Sequence, residues 1–279
     1  MNTKPKIIAF QGEHGAYSDL SCRTMFPDYQ TLPCATFDEA FQVVEGGQAN
    51  LAMIPTDNTI AGRVADVHTL MPRHNLFIIA EHFQPVHHNL LGIKGARIND
   101  LKHVHSHVHA LPQCKRVIKS LDLQPHVHAD TAGAAAQIAR MNDPEHGAIA
   151  SSLAAKIYNL EILQDNIQDT AHNITRFLVL SPEPISPDEN VKTISSLIFQ
   201  VRNIPAALYK ALGGFATNGL SMTKLESYVD ENFDVAKFYC EVLGHPESES
   251  FQLALEELGF YAEDVKFLGA YAAHPNRKG

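Results

Sequence analysis

Short apolar runs, each followed by a helical pattern, constrain this chain more than any other feature. Residues 6–10 (KIIAF), 51–55 (LAMIP) and 76–83 (LFIIAEHF) read as buried strands. A helix follows the glycine-punctuated turn QGEHGAYS and runs through Met25. A second is opened by Thr36 and Glu39, a T-x-x-E capping box before FDEAFQVVEGG. A third runs to about Met71 after the turn formers of TDNTIAGRVAD. The alternation continues through HHNLLGI, a short strand near Val104, a helix over 108–120, LQPHVHA, the small-residue helix TAGAAAQIAR, GAIA, SSLAAKIYN and ITRFLVL. Strands separated by helices predict an α/β architecture with largely parallel sheets. Chain crossings near 80–85 and 160–170 divide residues 4–181 into two lobes, with a cleft lined by strand ends and helix N-termini.

The pattern changes beyond 181. Residues 182–192 carry three prolines and no apolar periodicity, the composition of a linker. From 193 to 272 the order becomes TISSLIFQV, IPAALYKALGGFATN, LSMTKLES, DVAKFYCEV, ESFQLALEEL and VKFLGAY. That is a βαββαβ unit of ferredoxin-like order.

With 279 residues the chain has room for two cores, and a formal charge of −9 argues against a nucleic-acid surface. No run approaches the roughly 20 apolar residues of a membrane span. Cys22, Cys34, Cys114 and Cys240 show no CxxC spacing, so reduced thiols in a cytoplasmic protein are expected and no disulfide.

The polar residues at the strand ends are hydroxyls and amides. QGEHGAYS (11–18) has the form of an anion-binding turn, although a strand–turn–helix junction needs glycine for backbone reasons as well. In TDNTIAGRV, Asp57, Asn58 and Thr59 either satisfy turn amides or face a ligand. Ser106 reads as a helix N-cap, with Gln113 two turns on and on the same face, so both could line one groove. Thr131 opens the alanine-rich helix. His103, His105, His107 and His109 alternate, which on one strand would gather them on one face as metal ligands. An N-cap at Ser106 instead ends the strand at His105 and makes them diverge, so no metal site is expected. In HNITRFLVL (172–180), Arg176 enters an apolar strand with no carboxylate close by in sequence. Either the strand end frays into solvent or the arginine's partner comes from outside the protein. There is no GxSxG, HExxH or P-loop.

Taken together and in this order, QGEHGAYS, IPTDNTIAGRV, SHVHALPQC, DTAGAA and above all NITRF resemble the prephenate dehydratase family, over about residues 6–271. The C-terminal unit, with RNIPAALYKAL and TKLES, is similar to an ACT regulatory domain. The resemblance implies a two-lobed catalytic domain of the periplasmic-binding-protein-like (type II) fold over 4–181 and an ACT domain over 193–272. It implies a cofactor-free loss of water and carbon dioxide from prephenate, giving phenylpyruvate in phenylalanine biosynthesis. Arogenate is the alternative substrate, and a non-catalytic two-lobed sensor the alternative class. Carried over residue by residue, Thr175, Asn58, Ser106 and Gln113 are the catalytic candidates, Thr175 assisting departure of the hydroxyl. Arg176 is the carboxylate partner. Tyr17, Ser18, Thr59 and Thr131 flank the substrate, and Phe177 packs beneath it. Asn203, Ala206, Ala207, Leu208, Glu226 and Ser227 match a phenylalanine effector site formed where two ACT domains meet, which implies a homodimer or homotetramer. Ala206 stands where the family's turn has glycine, and Tyr228 and Val229 replace an arginine–proline pair. No helical mutase-like segment precedes residue 6, so a monofunctional chain is expected.

Overall fold

The computed structural model describes residues 5–228 and 237–277. The chain forms two compact units. One takes residues up to Val67 together with His82–Phe177, the other His68–Glu81 together with Leu178 onward.

The chain begins with β1 (Ile7–Gln11), α1 (Tyr17–Met25), β2 (Gln30–Cys34), α2 (Phe37–Glu45), β3 (Leu51–Asn58), β4 (Gly62–Arg63) and α3 (Ala65–Leu70). Ile8, Ala9 and Phe10 are fully buried, because β1 runs parallel to β2 on one side and β3 on the other. Thr36 caps α2, its hydroxyl accepting from the Glu39 amide at 3.1 Å, while the Glu39 carboxylate accepts from the amide of Ala35. Strand β3 runs past its expected end at Pro55. Asp57 and Asn58 pair with Arg63 and Gly62 of β4 in a tight hairpin, so these two residues are strand, not turn.

There follow β5 (Phe77–Pro85), β6 (Asn89–Gly92), β7 (His103–His107), a 3₁₀ turn at Leu111–Cys114, α4 (Lys115–Ser120) and β8 (Gln124–His128). Then come α5 (Thr131–Met141), β9 (His146–Ala150), α6 (Ser152–Ile157), β10 (Glu161–Gln164) and β11 (Ile174–Ser181). The strands build two sheets, β2-β1-β3-β11-β5 with β4 beside β3, and β10-β6-β9-β7-β8. The sheets are mixed rather than largely parallel, since β6 runs antiparallel to both β9 and β10. Strand β7 also runs beyond His105. Ser106 is a strand residue and caps no helix, and the long helix expected over 108–120 is the 3₁₀ turn plus the six residues of α4.

Residues 182–192 form no helix or strand. Beyond them lie β12 (Thr193–Val201), α7 (Ala207–Thr217), β13 (Ser221–Tyr228), β14 (Lys237–Leu243), α8 (Glu249–Tyr261) and β15 (Ala262–Ala272). This is the βαββαβ order read from the sequence. The sheet runs β13-β14-β12-β15 with every pair antiparallel. Leu197, Phe199, Phe215, Val242, Phe251 and Leu258 fill the space between sheet and helices. In the same unit Arg277 holds two buried carboxylates, Glu81 at 2.7 and 2.8 Å and Glu241 at 2.8 Å. Among the described residues no helix is long and apolar enough to cross a membrane, and all four cysteines are free and buried.

Candidate active site

Within the first unit a cavity of about 240 Å³ opens where ends of both sheets meet the starts of α1 and α5. Gln11, Gly12, Ala16, Tyr17 and Ser18 come from the first turn. Pro55 and Asn58 come from β3, Val86 and His88 from the start of the second sheet, and Asn173, Thr175 and Phe177 from β11 and its approach. His107, His109, Gln113, Asp130 and Thr131 complete the wall. Of the predicted residues, Tyr17, Ser18, Asn58, Gln113, Thr131, Thr175 and Phe177 are therefore brought together, although their elements are far apart in sequence.

The turn before α1 is shaped by close approach. Gly15 has φ +95°, and a methyl group there would sit 2.8 Å from the Cα of Ala154 in α6. Ser151 fixes that contact by donating to the Gly15 carbonyl at 2.5 Å, and Tyr158 donates to the His14 carbonyl at 2.8 Å. Helix α1 then starts after Ala16 without a side-chain cap, and its first residues, Tyr17 and Ser18, stand in the cavity wall. At α5 the Asp130 carboxylate accepts from the Gly133 amide at 2.7 Å, making Asp130 the cap and Thr131 the first helical residue.

A chain of hydrogen bonds crosses the cavity and has one definite direction. Asn58 Oδ1 accepts from the amides of Ile60 and Ala61 at 2.9 and 2.8 Å, which fixes the amide group. Its Nδ2 then donates to Thr175 Oγ1 at 2.9 Å and Asn173 Oδ1 at 2.8 Å. Asn173 Nδ2 in turn donates to Gln113 Oε1 at 2.7 Å. The same Gln113 oxygen lies 3.0 Å from His88 Nε2, which must be the protonated nitrogen because a carbonyl oxygen can only accept. Burial lowers the pKa of His88, so the ring is neutral and its Nδ1 is bare, 3.1 Å from the Tyr17 hydroxyl. Tyr17 donates at 2.7 Å to the His87 carbonyl, and burial raises its pKa, keeping the phenol protonated.

Asn58 spends both polar ends inside the protein and orients Thr175, whose hydroxyl accepts from it and keeps its own hydrogen for the cavity. Gln113 spends its oxygen twice, which turns its NH₂ group outward as a donor.

Three expected site residues do not reach the cavity. Ser106 is fully buried and donates at 2.6 Å to the Ile149 carbonyl of β9, because strand alternation turns it away from the face of His105 and His107. Thr59 lies along β11, accepting from the Ile174 amide at 3.0 Å and donating to the His172 carbonyl at 3.3 Å. Arg176 neighbours Thr175 and Phe177, which both line the cavity, so alternation points it to the other face of β11. There its guanidinium meets Asp57 at 3.5 Å, and it is 7% exposed. The expectation that its partner comes from outside the protein is overturned, since β3 supplies a carboxylate that sequence distance had hidden. Among the described lining residues none is a lysine or arginine. A bound anion would rest on helix amides and neutral donors.

His88 and Asn173 are the residues that sequence reasoning missed. Asn173 opens the motif NITRF, whose chemistry reads from Thr175, Arg176 and Phe177, and His88 stands in HHNLLG without a spacing signal.

In the second unit, Asn203, Ala206, Ala207 and Leu208 line a separate cavity of about 610 Å³ with Arg202 and Glu263, whereas Glu226 and Ser227 lie on β13 outside its lining. Glu226 pairs with Lys224 at 3.1 Å and accepts from the Tyr228 hydroxyl at 3.5 Å. Val229 lies outside the described residues.

An α/β unit of two sheets with a polar cleft between their strand ends is the architecture of periplasmic-binding-like proteins. The family model for prephenate dehydratase matches residues 8–185. The chain belongs to the prephenate dehydratase family. It is 47% identical over 275 residues to a bifunctional N-acyl-homoserine lactone acylase/prephenate dehydratase of Komagataeibacter europaeus, covering 98% of each chain. It is 38% identical to an arogenate dehydratase/prephenate dehydratase of Arabidopsis thaliana, covering 95% of this chain and 72% of that one. Among solved structures, the quorum-quenching acylase GqqA superposes with a TM-score of 0.92 at 46% identity, over 98% of this chain and all of that one. A prephenate dehydratase of Arthrobacter aurescens, solved with L-Phe, superposes with a TM-score of 0.90 at 24% identity, over 98% of this chain and 92% of that one.

Proposed function

We propose that the chain is a prephenate dehydratase. The observation that carries this is the Asn58–Thr175 hydrogen bond, which leaves the threonine proton directed at a cavity whose other donors are helix amides and the Gln113 NH₂ group. Prephenate needs little more. As the bond from the ring to its carboxylate breaks, its electron pair moves into the ring, carbon dioxide leaves, and the ring hydroxyl departs with one proton as water. Aromaticity supplies the driving force. Thr175 donates a hydrogen bond to the leaving oxygen, and the proton it gives up is replaced from solvent. A threonine hydroxyl is a weak acid, so positioning and charge stabilisation carry much of the rate. The uncapped start of α1 is suited to a substrate carboxylate.

Incubation of the purified chain with prephenate is expected to yield phenylpyruvate. A folded sample that forms none at neutral pH overturns the reading. Arogenate requires the same assistance and differs in carrying an amine, so a parallel assay separates the two substrates. A second reading is favoured by the 47% identity to a bifunctional relative: hydrolysis of the amide of an N-acyl-homoserine lactone. Homoserine lactone and fatty acid released by the same sample would establish it beside the first.

Residues 193–272 are read as an ACT regulatory domain joined through 182–192 to the catalytic domain over 4–181, with L-phenylalanine as effector in a homodimer or homotetramer in the cytoplasm. Asn203, Ala206, Ala207 and Leu208 at one cavity support the effector site. Phenylalanine should change turnover, and Ala206 or Glu226 substitutions should blunt that response.

A further inference from the structure

Among the described residues, five imidazoles gather on one face of the second sheet. Parallel pairing sets His146 of β9 beside His103, and His126 of β8 beside His105. The rings meet on the diagonals. His103 Nδ1 lies 3.1 Å from His126 Nε2, His105 Nδ1 lies 3.0 Å from His128 Nε2, and His105 Nε2 lies 2.8 Å from His146 Nδ1. Ring centroids stack at 4.5 Å for His103 and His146 and at 4.7 Å for His105 and His126. Strand β7 does not end at His105, and its greater length and two neighbours bring together histidines that a shorter strand would let diverge. No group of three or more His, Cys, Asp or Glu among the described residues is arranged to hold a metal ion.

Each nitrogen–nitrogen contact needs one ring to donate and the other to offer a lone pair. His105 uses both nitrogens and is 5% exposed. One imidazolium can donate to two neutral neighbours, but a second within 5 Å repels it and removes an acceptor. Among the described residues, compensating carboxylates stand at the rim. Asp130 faces His128 and His107, while Asp143 and Glu145 face His146, and Glu145 is already paired with Lys102. Helix α5, packed against β7, β8 and β9, brings Arg140 and no carboxylate. His109 adds a further imidazole beside His107, with ring centroids 5.2 Å apart.

Strand β8 is the edge of its sheet and pairs with β7 alone, and Val127 at its centre is 65% exposed. Ala129, Asp130 and Thr131 follow it directly and line the cavity. We propose that this histidine array is an acid-sensitive latch: protonation releases edge strand β8 from β7 and frees the segment that carries Asp130 and Thr131 to the cavity. The latch stands on the array itself and not on which reaction the cavity performs.

Hydrogen–deuterium exchange of the full chain at pH 7.5 and 5.0, corrected for intrinsic exchange rates, tests it. Protection over residues 124–131 should fall several-fold at pH 5.0, toward the roughly tenfold limit set by one unit of separation in one ring's pKa between latched and released forms. Protection of β1 and β3 should hold. A His126→Gln/His128→Gln variant keeps amide hydrogen bonding without the charge and should retain its protection at pH 5.0. Equal loss in that variant, or no loss in the parent, overturns the proposal. Where the variant does not fold, the parent's imidazole NMR titration decides. Array rings charging below pH 6.5 in step with loss of β8 protection uphold the latch, and rings charging independently with β8 intact overturn it.

Discussion

Two polar clusters in the same unit use hydrogen bonds to opposite ends. The chain from Asn58 through Asn173 to Gln113 is built of amides, which hold neither a charge nor a choice of tautomer. Once Asn58 Oδ1 is fixed by two backbone amides, every later donor and acceptor is fixed as well, including the hydrogen on His88 Nε2. The array around His105 is built of imidazoles at similar distances, yet its pattern has room for no more than one charged ring. A buried network is permanent or conditional according to the chemistry of its members, not the number of its contacts. The amides serve a site that must keep one geometry, and the imidazoles sit at a sheet edge that can yield.

That comparison can be broken in several places. The largest effect is expected from Thr175→Ala, which should lower kcat by about 100-fold or more, the usual worth of a positioned proton donor. KM and the melting temperature should change little, and unchanged turnover would remove Thr175 from the reaction. Asn173→Leu cuts the amide chain at its middle and leaves Asn58 and Gln113 short of partners. Unfolding measurements should show a loss of about 1–3 kcal/mol, with a fall in kcat larger than any change in KM. Arg176→Met is next. Its partner Asp57 is partly exposed, so the expected loss is about 1–2 kcal/mol. A rise in KM with stability intact would instead make Arg176 a substrate contact.

The imidazole cluster is tested by pH. Burial, then the neighbouring histidines, holds His105 down at about 4, against an ordinary value of 6.5, and lowers His128 and His146 as well. The unfolded chain therefore binds protons below pH 6.5 that the folded chain refuses, and stability should fall as pH drops from 6.5 toward 4. Thermal melts across that window check the slope, which His126→Gln/His128→Gln should flatten. The smallest effect concerns the second unit, where neither kind of network is involved. Ala206 holds φ +61° at the start of α7, a left-handed geometry that costs a side chain. Ala206→Gly should stabilise the chain by about 0.5 kcal/mol, the strain relieved being partly offset by a more flexible unfolded state.

Much of this protein was legible in its sequence. The α/β alternation, the βαββαβ order and the Thr36 cap are local matters, decided by periodicity over a few residues and by hydrogen bonds within one turn. The motif NITRF pointed to the family and to Thr175. What the sequence could not determine was which way a side chain faces and what it meets there. Side chains alternate faces along a strand, so Thr175 reached the cavity while Arg176 turned to Asp57, and the continuation of β7 to His107 placed Ser106 on the face away from the site. Pairing then joined residues from distant segments, Asn58 to Asn173 and His105 to His128 and His146. Register and burial are properties of the assembled sheets, and only the tertiary structure could decide them.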